Sequence, residues 1–138
     1  MRSSETYTVD TIALLAYLAD SLPRKADSIF SVAERRKHPY SPSITIGETL
    51  YILLRGKDIF SRRIPVESLI ELLKALKFSK SLRVVDLDID GWRIAIGSNL
   101  TELHDRMIVD THLRHNSRAI IMNDEEIVST PGVETIWE

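Results

Sequence analysis

The chain contains no cysteine, which excludes disulfide scaffolds and thiolate metal centres alike. Its five glycines are scattered, so neither a Walker loop nor a dinucleotide-type glycine fingerprint can be assembled from them. Long apolar runs are missing as well: Ile12–Ala19 is too short to cross a bilayer. The same stretch makes a poor secretion signal, because Glu5 and Asp10 stand where positive charge belongs. Removing it would also delete the strand-like Tyr7–Val9. These absences predict a soluble protein of the cytoplasm. A large charge of one sign is lacking too: a net charge of −2 is not the balance of a basic nucleic-acid binder.

What is present suits one domain over residues 1–138, long enough to bury a core of its own. Tyr7–Val9 is β-prone and leads into Asp10-Thr11, a good helix start for Ile12–Ala19. Ala26, Ile29, Phe30 and Ala33 carry helical spacing over Lys25–Arg36. Pro39 and Pro42 bracket a short extended piece from Tyr40 to Ser43. Thr45–Arg55 reads as a helix apolar nearly all round, hence buried, with Gly56 ending it. Pro65 opens a helix running through Phe78. Leu82–Leu87 reads as a strand, and Asp88 caps a helix carrying Trp92, Ile94, Ala95 and Ile96. A helix over Leu103–His115, a strand at Ala119–Met122, a helical turn at Asp124–Ile127 and a strand at Val133–Trp137 complete the chain.

Strands separated by helices predict an α/β fold with a parallel sheet covered on both faces. Ligands of such sheets bind beyond the carboxyl ends of the strands, near the point where strand order switches. Four acids gather at that edge in this reading. Asp10 follows the first strand, Asp124 follows a late one, and Glu48 and Asp105 lie near helix starts. At about 100° per residue, Asp105 shares a stripe with Ile108, Val109 and His112, and Glu48 shares one with Ile44, Tyr51 and Ile52. An acid on an inward stripe is expensive unless something positive binds there, and a divalent cation is the natural occupant.

Each acid also has a plainer role open to it. Asp10 can be a helix N-cap, and Asp105 can complement a helix dipole. Glu48 can turn to solvent, and Asp124 can be a turn residue beside Glu125 and Glu126. His104 is a candidate for ordering the site or touching a phosphate. His112 and His115 make an unconvincing metal pair, and Trp92 and Trp137 read as packing residues. Asp110 lies to one side of the inward stripe, where it is expected to be exposed or paired. Two basic stretches, Arg35-Arg36-Lys37 and Arg55 to Arg63, suit a phosphate backbone or simply a solvated surface.

The ordered segments resemble the motifs of PIN-domain proteins. Val9-Asp10-Thr11 with Ile12–Leu18 is similar to their opening strand and helix, and Ser43–Tyr51 to the second motif with its glutamate. Glu102–Val109 is similar to the third motif, which carries an essential aspartate, and Ala119–Ile127 to the fourth. With Thr135-Ile136-Trp137 the resemblance covers nearly the whole chain, and small VapC-like toxins are the nearest kin. It implies a three-layer α/β/α sandwich on a five-stranded, mainly parallel sheet. It also implies Mg²⁺- or Mn²⁺-dependent cleavage of RNA by Asp10, Glu48, Asp105 and Asp124, a homodimer, and a VapB-type antitoxin as partner. Hard carboxylate oxygens agree with such a metal.

Two departures stand out. Ile12 and Met122 replace hydroxyl residues that usually support the acids. They motivate the alternative of a PIN-like module that binds RNA or protein with weak or no catalysis. A phospho-acceptor domain fits poorly, since it wants paired acids after the first strand and a lysine after a late one.

Overall fold

Five short strands, each only two or three residues long, pair into one sheet in the computed structural model, which describes residues 6–28, 40–79, 83–100, 102–123, 127 and 132–138. In chain order the elements are β1 (Tyr7–Val9), α1 (Thr11–Leu18), β2 (Tyr40–Pro42), α2 (Ser43–Leu54), α3 (Val66–Ser79) and β3 (Arg83–Val85). They continue with α4 (Ile89–Ile96), α5 (Leu103–Arg114), β4 (Ala119–Ile121) and β5 (Thr135–Ile136). Spatial order is β3-β2-β1-β4-β5, and every neighbouring pair is parallel. The expected helix over Lys25–Arg36 is described only as helical backbone at residues 24–28, and the turn at Asp124–Ile127 only at Ile127. The remaining residues of both lie outside the described chain.

Alternation along β4 shows why the sheet needs helices on both faces. Ile120 and Ile121 are both fully buried but enter different clusters. Ile121 packs with Val9, Ala13, Leu14 and Ala26, whereas Ile120 packs with Leu100, Ile108, Val109 and Met122. Successive side chains of a strand point to opposite faces, so a doubly buried pair means a doubly covered sheet. A third cluster, Leu15, Ala19, Leu53, Ile64 and Leu69, locks α1, α2 and α3 together. Among the described residues no helix is long and apolar enough to cross a membrane.

Two expectations are corrected here. The second helix begins at Ser43, directly after Pro42, and it is not buried all round. Only Thr45, Thr49 and Leu53 are buried on α2, while Tyr51 and Leu54 are 62% and 67% exposed. A helix at the side of a sheet needs one covered stripe, and small hydroxyl residues supply part of it. Asp110 was expected to be exposed or paired. It is 2% exposed, and neither carboxylate oxygen has a hydrogen-bond partner among the described residues.

Candidate functional site

The strand order places Asp10 at the switch point. From β1 the chain first adds β2 and β3 on one side, then crosses to add β4 and β5 on the other. The carboxyl ends of β1 and β4 therefore diverge into different connections, leaving a crevice there. Asp10 is the first residue after β1, and its N–H still reaches the Ile121 carbonyl at 3.4 Å. Its side chain caps α1, accepting from the Ala13 N–H through Oδ1 at 2.7 Å. Capping accounts for one oxygen and for the local backbone, but not for a carboxylate 5% exposed at a crevice.

Three further side chains connect Asp10's neighbourhood to Asp105. Thr11, the residue after Asp10, donates its hydroxyl to Glu48 Oε1. Glu48 lies on the second turn of α2 and is part-buried. Its other oxygen, Oε2, is 3.3 Å from His104 Nδ1. His104 in turn places Nε2 3.2 Å from Asp105 Oδ1. Asp105 sits in the first turn of α5 at 4% exposure, on the stripe with Ile108, Val109 and His112, all of them buried. Thus the structure gathers Asp10, Glu48 and Asp105 at one edge of the sheet, drawn from β1, α2 and α5. Asp124 lies outside the described residues.

The donor set is carboxylate oxygen with one imidazole, which suits a small, hard divalent cation better than a soft one. Two of the three carboxylates are too buried to serve solubility. Among the described residues, however, no three metal-ligating side chains converge closely enough to enclose an ion. Glu48 and Asp105 are instead joined through His104. The donor types thus fit a hard divalent cation, while the described side chains are not gathered into a closed set of ligands around one.

Sequence reasoning missed Thr11. Ile12 is 40% exposed, whereas the hydroxyl of Thr11 beside it reaches Glu48. An adjacent Asp-Thr pair at a strand-to-helix junction was the available signal. His104 was a candidate, and the structure gives it two acidic partners.

Away from this edge, His112 Nδ1 lies 2.6 Å from Ser117 Oγ, which lies 2.8 Å from Thr8 Oγ1. This buried chain ties α5, the start of β4 and β1 together. Burial holds the His112 imidazole below its usual pKa, with Glu134 pulling the other way. His115 stacks on Tyr40 with ring centroids 4.3 Å apart, so the two histidines serve separate contacts. Of the basic stretches, Arg63 pairs with Asp58 at 3.3 Å and Arg55 donates to the Tyr51 hydroxyl at 3.1 Å. Arg35, Arg36 and Lys37 lie outside the described residues.

An all-parallel α/β sheet with acids at its switch point is the architecture that the motif order implied. The PIN domain family model matches residues 7–133, and the chain belongs to that family. Among solved structures it is similar to VapBC2 from Rickettsia felis, solved bound to a DNA fragment from its promoter, with 14% identity and a TM-score of 0.66. That match covers 96% of this chain and 99% of the other. A toxin–antitoxin complex from Klebsiella pneumoniae matches at 17% identity and a TM-score of 0.66, covering 96% and 99% of the two chains. VapC20 from Mycobacterium tuberculosis, a toxin that cleaves the sarcin-ricin loop, matches at 16% and 0.67, covering 96% and 100%. At these identities the likeness is one of fold. No curated protein sequence matches the chain significantly.

Proposed function

We propose that the chain is a metal-dependent ribonuclease of the cytoplasm and the toxin half of a toxin–antitoxin pair. The observation that carries this reading is the pair of nearly inaccessible carboxylates, Asp10 and Asp105, held at the sheet's switch point and linked through Thr11, Glu48 and His104. Asp10 and Asp105 would hold a Mg²⁺ or Mn²⁺ ion most directly, with Glu48 and Asp124 completing the set. When bound, such an ion makes a water more acidic and stabilises charge growing on a phosphate.

The protein's own groups do the positioning. Oδ1 of Asp10 accepts from the Ala13 N–H in the α1 cap, which holds the carboxylate at the carboxyl end of β1. Thr11 holds one oxygen of Glu48, so that this longer side chain stays at the edge rather than turning to solvent. His104 is near enough to both Glu48 and Asp105 to order them, and its part-exposed ring is the group best placed to meet an RNA phosphate. In-line hydrolysis at this edge would leave a 5′-phosphate and a 3′-hydroxyl.

Structural neighbours that are toxins or toxin–antitoxin complexes support the biological setting and a VapB-type antitoxin as partner. A homodimer is part of the same proposal. Apolar side chains left exposed on α2, Tyr51 and Leu54, and on α4, Ile89 and Ile96, offer surface for a second copy.

A second reading, a PIN-like module that binds RNA or protein with little or no catalysis, is favoured by one observation. His104 joins Glu48 and Asp105 where a cation would need them open, and no three ligands converge among the described residues. Incubating purified protein and a mixed RNA pool with Mn²⁺, beside EDTA and Asp105→Asn controls, separates the two. Cleavage that needs both metal and Asp105 is the expected result. RNA retained but uncut at every Mn²⁺ concentration would transfer the assignment to the binding module.

A further inference from the structure

The helix that carries Asp105 begins without a side-chain cap. Asp10 and Asp88 cap α1 and α4 by accepting backbone N–H bonds at 2.7 and 2.8 Å. Glu102, at the corresponding position of α5, makes no such bond. Helix starts without a cap leave backbone donors unsatisfied and fray more readily. Yet the first turn of α5 holds His104 and Asp105, two of the groups at the acidic edge.

Arg106, the residue after Asp105, supplies a tie of another kind. Its Nε donates to the Leu100 carbonyl at 2.6 Å, reaching back past the N-cap. Leu100 is itself buried among Ile108, Val109 and Ile120, so that carbonyl is a fixed anchor. Nη1 donates to the carbonyls of Ala95 and Ile96 at 3.2 and 3.1 Å, in the last turn of α4. The end of a helix offers carbonyls that lack intrahelical donors and favours a cation, so a guanidinium suits it on both counts. One planar fork thereby spans two separate acceptor groups, which a compact ammonium does not. All three acceptors are main-chain oxygens, so Arg106 acts on the backbone that carries Asp105.

The opposite end of the same helix pair has its own arginine. Arg114 lies eight residues beyond Arg106, about 12 Å further along the axis. It donates Nη2 to Asp88 Oδ2 at 2.8 Å, which secures α4 against α5 away from the acidic edge.

We propose that Arg106 is a positioning residue for the acidic edge: it pins the uncapped first turn of α5, and with it Asp105 and His104, to the carbonyl end of α4. The inference rests on the reading of that edge as a divalent-cation site.

Mn²⁺ binding by calorimetry and backbone amide exchange, measured on the wild-type chain, Arg106→Gln, Arg106→Lys and Arg114→Gln, test it. Arg106→Gln is expected to raise the Mn²⁺ Kd about 10- to 100-fold. It should also speed exchange of the Asp105 and Met107 amides about tenfold or more. Arg106→Lys keeps the charge without the fork and should restore neither. Arg114→Gln loosens the same helix pair at its far end, so a merely structural effect would appear there too; it should leave both readouts near wild type. Unaltered first-turn exchange or unaltered Mn²⁺ affinity in Arg106→Gln, full restoration by lysine, or equal changes in Arg114→Gln would each overturn the proposal. A wild-type chain that binds no Mn²⁺ would instead overturn the reading of the edge, and the exchange rates would still decide whether Arg106 holds the turn.

Discussion

Thr11 donates its hydroxyl to Glu48, joining the first turn of α1 to the second turn of α2 across thirty-seven residues of sequence. Glu48 is otherwise only part-buried, on a helix whose outer face carries exposed Tyr51 and Leu54. Without that bond its longer side chain can leave the edge. Thr11→Ala is therefore expected to raise the Mn²⁺ concentration needed for half-maximal RNA cleavage by about 10- to 100-fold, the usual cost of losing an outer support of a metal ligand. Thr11→Ser should recover most of it. An unchanged Mn²⁺ dependence in Thr11→Ala would show that Glu48 needs no such support.

The two roles of Asp10 can be separated by substitution. Asparagine caps a helix about as well as aspartate, whereas alanine costs about 0.5–2 kcal/mol. Asp10→Asn should thus unfold at nearly the wild-type temperature yet lose cleavage, while Asp10→Ala loses both. Mn²⁺ should raise the melting temperature of the wild-type chain through binding linkage. It should not do so for Asp10→Asn or Asp105→Asn. Metal-dependent cutting retained in both asparagine variants would remove these acids from the site.

Much of this arrangement was legible in the sequence, for identifiable reasons. Asp105 was readable because Ile108, Val109 and His112 lie on its stripe at helical spacing, and all three are buried with it. The Asp10 position followed from a β-prone triplet running into a capping residue. The character of α2 was misread because a one-dimensional pattern cannot say which apolar side chains face the sheet. Its covered stripe is Thr45, Thr49 and Leu53, while Tyr51 and Leu54 point outward. The bridge from Glu48 through His104 to Asp105 depends on how α2 meets α5, which no local spacing encodes. Asp110 was misjudged for a related reason: Gly91, on a different helix, lies close against it.

His112, buried, and His115, half-buried, make stability depend on pH in a definite direction. Burial lowers the pKa of His112 below 6.5, and burial together with Arg114 and Arg83 lowers that of His115. In the window between the lowered folded value and 6.5, the unfolded chain binds more protons than the folded one. Stability is then fully present above about pH 6.5 and declines as pH falls through the folded values. Thermal unfolding followed downward from pH 7.5 should show this loss, and His112→Gln should flatten it. Ser117→Ala strands one end of the Thr8–Ser117–His112 chain and should cost about 1–3 kcal/mol. A pH profile unaffected by His112→Gln would place the titrating group elsewhere.

Asp110 acts in the opposite sense. Burial is the largest influence on its carboxyl and raises the pKa above 3.8, Asp88 adds to the rise, and Arg114 opposes it. The folded state therefore favours the protonated form. Its contribution is favourable below about pH 3.8 and is lost as pH rises through the higher folded value, so at neutral pH the ionised carboxylate destabilises the fold. Asp110→Ala removes an unsatisfied buried group and should stabilise the unliganded chain at pH 7 by about 1–3 kcal/mol, less the cost of the small void it leaves. The advantage should shrink as pH falls through the raised folded value. Melting temperatures of the two chains across this range are the measurement. A variant less stable than wild type at pH 7 would mean that the carboxylate is already satisfied within the fold. A more stable one would show that the buried carboxylate, without a hydrogen-bond partner among the described residues, costs the fold stability.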